Sequence, residues 1–269
     1  MSKGTDKATM NLSTEHSLEA DAIGFGIDIG GSGIKGAPVN LNTGRFLTDR
    51  FRLPTPKEST PEAVGLILRT IVERFDLPEQ VPIGVTFPGV VQHDVIATAA
   101  NMHSDWVGTN LAEVVETHTG RAAHIINDAD AAGYAEMRYG AAKDVPGVVL
   151  VLTLGTGIGS ALIHNSVLVP NTELGHLIMD GDSAEKIASS GVKDKMGWSY
   201  EQWVVNLQRY VTHVELLFSP DLFVFGGGVS KDHKKFVPLL TTNAPIVPAH
   251  LRNKAGIIGA AIMAAEAEA

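Results

Sequence analysis

The chain has 269 residues, a net charge of −9 and no cysteine, with 44% hydrophobic and 19% charged residues, ordinary figures for a soluble globular protein. That length buries a full core in one large domain or two modest ones, and the acidic balance argues against a nucleic-acid binder, whose affinity comes mainly from neutralising phosphates. The missing cysteines exclude disulfides and thiolate metal sites; no apolar run approaches the ~20 residues that cross a bilayer, and residues 1–21 lack the apolar centre of a signal peptide, so a cytoplasmic protein with a frayed N-terminal tail is expected.

Phe25, Ile27 and Ile29 alternate with Gly26, Asp28 and Gly30, a period of two that predicts a strand. Gly30, Gly31 and Gly33 follow as a turn free to take positive φ, with no Cβ between its N–H groups and a ligand. Ile34 to Val39 is extended again. Successive N–H groups in such a turn form an anion-binding concavity, and Lys35 adds a positive charge beside it. Gly31-Ser-Gly33-Ile-Lys-Gly36 also satisfies the G-x-G-x-x-G pattern of dinucleotide binders, which would make an NAD-dependent oxidoreductase the rival reading. That pattern requires a helix opening at the loop, and Pro38 and the turn at Asn42-Thr43-Gly44 leave no room for one.

Thr60-Pro61-Glu62 reads as a helix start, with Val64, Leu68, Ile71, Val72 and Phe75 at helical spacing. Val81 to Phe87 is a strand ending at Pro88-Gly89, and Val90 to Ala97 is expected to add an antiparallel partner. Asn110 to Glu113 has capping-box spacing, opening a helix that Gly120 closes. After a short strand at Ala122 to Ile126, Asn127-Asp128 begins an alanine-rich helix that runs to about Tyr139 and stops at Gly140.

The second half repeats the device. Val148 to Leu154 is an apolar strand, Gly155-Thr-Gly-Ile-Gly159 a glycine turn, and 158–169 a further extended run. Glu173-Leu-Gly-His176 and a short helix near Ala184 to Ser190 come next; Ser199-Tyr-Glu-Gln202 then caps a long helix with Trp203, Leu207, Tyr210, Val211, Val214 and Phe218 on its apolar side. A third turn, Gly226-Gly-Gly228, follows a strand at Asp221 to Phe225 and precedes a helix. The last helix, from Ala255, is small and apolar, as a helix buried against a neighbour is. Two strand–turn–strand units half a chain apart predict two related lobes able to clamp a polyphosphate chain, with the chain crossing near Ile126.

Asp28-Ile-Gly-Gly-Ser-Gly-Ile-Lys35, Leu154-Gly-Thr-Gly-Ile-Gly159, Glu173-Leu-Gly-His176 and Phe225-Gly-Gly-Gly228 resemble, in order and spacing, the ROK family of sugar kinases and sugar-responsive repressors. The ending Pro245 to Ala260 resembles the polyphosphate-dependent members. The resemblance implies an α/β, two-lobe actin-like ATPase fold (the hexokinase/Hsp70/actin superfold), mixed sheets flanked by helices with a cleft between lobes. It divides the chain into a first lobe at 22–126, on which 256–269 packs back, and a second at 127–255. It implies a hexose kinase acting on glucose and mannose, with ATP or inorganic polyphosphate as donor, Mg²⁺ as cofactor, and a homodimer.

By the same resemblance Asp128 is the base that takes the proton of the sugar hydroxyl. Asn101, Asn127, Glu173, His176, Glu185 and Gly89 hold the sugar, with Trp106 in the loop after Asn101. The donor phosphates meet Gly30, Gly31, Ser32, Gly33 and Lys35 on one side, and Thr156, Gly157, Gly159, Gly227 and Gly228 on the other. Asp28 holds Mg²⁺ through water, since that ion keeps several of its waters. Most members carry a cysteine-rich zinc knuckle after the E-x-G-H motif; this chain has none, so no zinc site is expected and His176 is left to serve the sugar. A ROK repressor needs an N-terminal helix-turn-helix, for which the residues before Ile23 are too few, while a non-catalytic sugar sensor of the same body remains the other alternative.

Overall fold

The computed structural model describes residues 22–99 and 102–268; Asn101 lies outside the described residues. Contacts divide the chain into two units, one running to Ala131 and resuming at Gly256, the other from Ala132 to Ala255.

The first unit opens with the hairpin of β1 (Ile23–Gly30) and β2 (Gly33–Asn40), whose register pairs Asp28 with Lys35 and Gly30 with Gly33. Two short strands, β3 (Arg45–Phe46) and β4 (Phe51–Leu53), both pair with β2. Helix α1 (Pro61–Phe75) starts where the sequence places it: the Thr60 hydroxyl accepts the Ala63 N–H, Pro61 takes the first turn, and Val64, Leu68, Ile71, Val72 and Phe75 are buried. Strand β5 (Ile83–Phe87) lies parallel to β1.

Val90 to Ala97 does not extend that sheet. It folds on itself as β6 (Val91–Gln92) and β7 (Val95–Ile96), because His93 and Asp94 both adopt positive φ and reverse the chain between them. Helix α2 (Leu111–Thr119) is capped by the Asn110 side chain and closed by Gly120 in the left-handed region. Glu113 bonds the Asn110 amide rather than its backbone N–H, so the capping box is only half made. Strand β8 (His124–Asn127) adds parallel to β5, and α3 (Asp128–Tyr139) follows at once.

The second unit repeats this order. β9 (Val148–Leu154) and β10 (Ile158–His164) form an antiparallel hairpin, and β11 (Val167–Val169) pairs with β10. The expected single run 158–169 breaks at Asn165 and Ser166, both at positive φ. A small hairpin, β12 (Ile178–Met179) and β13 (Asp182–Ser183), precedes α4 (Glu185–Ala188), α5 (Ser190–Met196) and the long α6 (Tyr200–Phe218). The capping box of α6 is complete, Ser199 and Gln202 bonding each other's backbone N–H. β14 (Leu222–Gly226), α7 (His233–Phe236) and β15 (Ile246–Pro248) lead to α8 (Ala255–Ala267).

The sheet orders are β3-β2-β1-β5-β8 and β11-β10-β9-β14-β15. Matched position by position, the pairings also agree in sense: two antiparallel, then two parallel. The same fold is therefore built twice from unrelated side chains. In the second unit Leu150, Leu152 and Leu154 of β9 face one apolar cluster with Trp203, Leu207 and Phe236, while Val149 and Val151 face another. Burial on both faces explains why β9 reads as an unbroken apolar run. In the first unit α8 lies backbone-on-backbone over the sheet: a Cβ on Gly26 would stand 1.8 Å from the Ile257 carbonyl oxygen, and one on Gly84 1.9 Å from that of Ala260.

Candidate functional site

In each unit the parallel strands end at the same edge, where ligands bind in open α/β sheets. In the first unit β1, β5 and β8 deliver Gly30, Phe87 and Asn127 to that edge. The turn Gly30–Gly33 is a tight hairpin, and none of its glycines takes a positive φ. What the residue type provides here is access. Gly31 has no atom within 4 Å of where a Cβ would stand, and a Cβ on Gly33 would lie 2.5 Å from the Arg52 guanidinium, which donates to the Ser32 carbonyl at 2.7 Å. No helix opens at this loop, so Gly31 to Gly36 lacks the helix N-terminus that a dinucleotide site requires.

Asp28 and Lys35 are cross-strand partners, and their side chains meet at 2.9 Å with 19% and 23% exposure. The other Asp28 oxygen accepts the Thr86 hydroxyl at 3.0 Å, from β5, its partner on the opposite side. Lys35 in turn stands next to Arg52 of β4. One face of the sheet thus carries the row Arg52, Lys35, Asp28, Thr86. Arg52 and Thr86 have no local motif in the sequence; only strand register brings them here.

Asn127 and Asp128 sit at the junction of β8 and α3. The buried Asn127 amide is already committed: its oxygen accepts the N–H groups of Ala129 and Asp130 at 2.8 and 3.0 Å, and its nitrogen donates to the Gly89 carbonyl at 3.0 Å. It therefore caps the helix and ties it to the β5 end, with one amide N–H over, instead of offering both a donor and an acceptor to a sugar. Asp128 is half-buried in the first helical turn, with one oxygen 2.8 Å from the Ala129 N–H, where the helix dipole favours negative charge. Gly89 is required by close approach, a Cβ there standing 2.1 Å from the Thr98 carbonyl oxygen. Trp106 belongs to the core: it is fully buried against Phe87 at 5.0 Å and its indole donates to the Ser59 carbonyl at 2.7 Å.

In the second unit β9 and β14 are parallel neighbours, so their glycine turns adjoin. Gly227, at φ 79°, passes so near Leu154 that a Cβ would lie 2.2 Å from its carbonyl oxygen. Behind the turn at 155–157, the α5 start supplies the Ser190 hydroxyl and the Gly191 N–H to the Gly155 carbonyl, at 3.0 and 2.8 Å. The sequence did not mark this short helix, whose cap, Ser189, coincides with the end of α4. The third glycine turn leads into a 3-10 turn, Gly228–Asp232, and only then into the single turn of α7.

Glu173 and His176 bracket a 3-10 turn at Leu174–His176, close-packed because a Cβ on Gly175 would stand 2.1 Å from the Ile158 carbonyl oxygen. Glu185 reaches His176 and β10: one oxygen lies 3.7 Å from His176 Nε2, and the other accepts the Ile158 N–H at 3.3 Å. A Cβ on Gly157 would lie 2.3 Å from that second oxygen. The E-x-G-H turn, Glu185 and the second glycine turn therefore form one constellation, and His176 answers to Glu185 instead of standing alone. Among the described residues no group of three or more His, Asp or Glu side chains converges in the manner of a metal centre.

A sheet of this order built twice, with glycine turns at the carboxyl ends of its strands, is the actin-like ATPase fold of sugar kinases. The sequence model of the ROK family matches residues 24–197. Polyphosphate glucokinase of Mycobacterium tuberculosis (strain CDC 1551 / Oshkosh) is 51% identical over 240 residues, 89% of this chain and 90% of that protein. The crystal structure of inorganic polyphosphate/ATP-glucomannokinase from Arthrobacter sp. strain KM superposes with a TM-score of 0.87 at 50% identity, covering 91% of this chain and 99% of the other. A ROK family glucokinase from Streptomyces griseus, solved with glucose and AMPPNP, shares the fold at a TM-score of 0.76 and 24% identity, over 91% and 99% of the two chains. The chain belongs to the ROK family.

Proposed function

We propose that this protein is a glucokinase that transfers the terminal phosphoryl group of inorganic polyphosphate or ATP to the 6-hydroxyl of glucose, and of mannose as a second substrate. The observation that carries the reading is Asp128: a carboxylate at the carboxyl end of a parallel strand, rooted by the Asn127 cap, in a chain half identical to polyphosphate glucokinases. Phosphoryl transfer asks little covalent chemistry of a protein; it needs alignment, charge neutralisation and a group to accept the hydroxyl proton. Asp128 accepts that proton as the sugar oxygen attacks phosphorus. Glu173, His176 and Glu185, with Asn101, the remaining Asn127 N–H and Gly89, hold the ring hydroxyls. Gly30 to Gly33 with Lys35, Thr156 to Gly159, and Gly227 with Gly228 hold the donor.

Asp28 fits an outer-sphere place for Mg²⁺. Each of its oxygens has one protein partner, Lys35 or Thr86, and keeps a lone pair for a metal-bound water. When bound with the donor, Mg²⁺ would supply charge neutralisation for the leaving phosphates, with Asp28 holding it through water. We place the protein in the cytoplasm as a homodimer; no helix among the described residues is long and apolar enough to cross a membrane.

Initial rates with polyphosphate and with ATP, on glucose and on mannose, test the reading. Formation of glucose 6-phosphate from both donors is the expected result. Sugar binding without turnover on either donor would replace the kinase by a sensor.

A further inference from the structure

The two segments that emerge beside the second and third glycine turns, 193–195 and 231–235, carry five lysines against two aspartates in a chain whose net charge is −9. They converge on one aromatic ring. Lys193 of α5 lies 5.1 Å and Lys235 of α7 lies 5.5 Å from the centroid of Tyr200, which stacks in turn on Phe236 at 6.0 Å. Lys193 is only 14% exposed, so its stem is held in place and not loose in solvent, and its ammonium meets Asp194; Lys235 meets Asp232 at 2.8 Å. The Tyr200 hydroxyl bonds Asp232 as well, and burial first, then that carboxylate, hold the phenol above its ordinary range, so it stays a neutral donor. Both arms start at the phosphate turns. Lys193 is two residues past Gly191, which donates to the Gly155 carbonyl, and α7 follows the 3-10 turn that begins at Gly228.

The ammonium groups of Lys193 and Lys235 are each neutralised by an aspartate of their own segment, and Lys195, Lys231 and Lys234 remain. Two aspartates leave a surplus of three positive charges. A ligand that runs from the glycine turns along these segments gains from that surplus only where it carries negative charge. A nucleotide does not gain at its far end, which is a neutral base and sugar. Inorganic polyphosphate does, with a negative charge on every phosphoryl unit.

We infer that the lysines around Tyr200 form a distal donor subsite, taking phosphoryl groups of a polyphosphate chain beyond those held at the glycine turns. The inference rests on the kinase reading given above and adds to it a determinant of donor length. The subsite stabilises the ground state and the transition state of a long donor alike, so it lowers KM and leaves kcat alone.

The test compares KM for tripolyphosphate and for long-chain polyphosphate in the wild type, in the double variant Lys193→Ala/Lys235→Ala and in Lys193→Arg/Lys235→Arg. In the wild type KM is expected to fall with chain length. In the alanine variant KM for the long chain rises about tenfold, the loss expected for ~1.4 kcal/mol of binding, and the dependence on length flattens; KM for glucose stays put and the arginine variant restores the dependence. Arg209→Ala, which breaks the Asp180 pair elsewhere in the same unit, is expected to keep the wild-type dependence. If the alanine variant shifts KM for glucose and for both donors together, or keeps the wild-type ratio of long to short, the subsite is overturned while the kinase reading stands. A wild type that uses ATP but no polyphosphate overturns the donor reading itself, and the subsite with it.

Discussion

Asn127 and Asp128 are neighbours at one helix start. Asn127 spends its oxygen on the cap, binding the N–H groups of Ala129 and Asp130, and Asp128 is the residue proposed above as the base. Asp128→Asn keeps the shape and removes the basic oxygen, so kcat is expected to fall by about 10²–10⁴-fold, the usual range for a lost general base, with glucose affinity within a few-fold of wild type. Steady-state rates alongside calorimetric glucose titration read both; a variant with near wild-type kcat would take the role away from Asp128. Gly157 offers a second handle. An alanine there would set its Cβ 2.3 Å from the Glu185 oxygen that accepts the Ile158 N–H, pushing the carboxylate off both that N–H and His176. Gly157→Ala is expected to raise KM for glucose with the circular dichroism unchanged, and an unaltered KM would show that Glu185 does not serve the sugar.

At the scale of the element, α6 shows why some of the fold is legible in sequence and some is not. Its capping box and its spaced apolar residues lie within one stretch of chain, and the helix forms where they indicate. Helix α5 has seven residues, too few for a period to declare itself, and its Ser189 cap reads as the end of the helix before. The reversals at His93-Asp94 and Asn165-Ser166 use positive φ at residues with a Cβ, so no Asn-Gly or Asp-Gly signal announces them. The site divides the same way. Its glycine turns stand in the sequence, whereas Arg52 at the first turn and Thr86 on Asp28 arrive through pairings 20 and 58 residues long.

Helix α6 also carries a testable pH dependence. Tyr210 is fully buried and its hydroxyl has no hydrogen-bond partner; burial first, then the charge of Glu185, hold its phenol well above the ordinary range. An unfolded tyrosine ionises near pH ~10, where the native one keeps its proton. The native state then binds more protons than the unfolded state, so stability is intact below that pH and falls as pH rises beyond it. Tyr210→Phe is expected to flatten this alkaline slope in urea denaturation at pH 9 to 11 and to cost little at neutral pH, since no bond is lost. A slope unchanged by the substitution would assign it to other groups.

At the scale of the whole molecule, the last helix completes the first unit. Two sheets of one order need covering on both faces, and the first is covered on one of them by α8, whose residues from Gly256 onward belong with the chain's beginning. Gly26 of β1 and Gly84 of β5 make that contact possible, because any Cβ on either would overlap the α8 backbone. Ile257, Ile258, Ala260, Ala261, Ile262 and Ala264 are buried in it. The three isoleucines alone stand for about 5–9 kcal/mol, at roughly 1.5–3 each, which is comparable to the whole stability of an ordinary domain. A chain ending at Lys254 is therefore expected to lose the first unit cooperatively while the second keeps its own two clusters. Hydrogen exchange reads this directly: amides of β1 and β5 become unprotected, those of β9, β10 and β14 remain slow, and glucokinase activity is gone. Full protection of β1 and β5 in the truncated chain would mean that the first sheet folds without its terminal helix, and the glycine floor would then need another explanation.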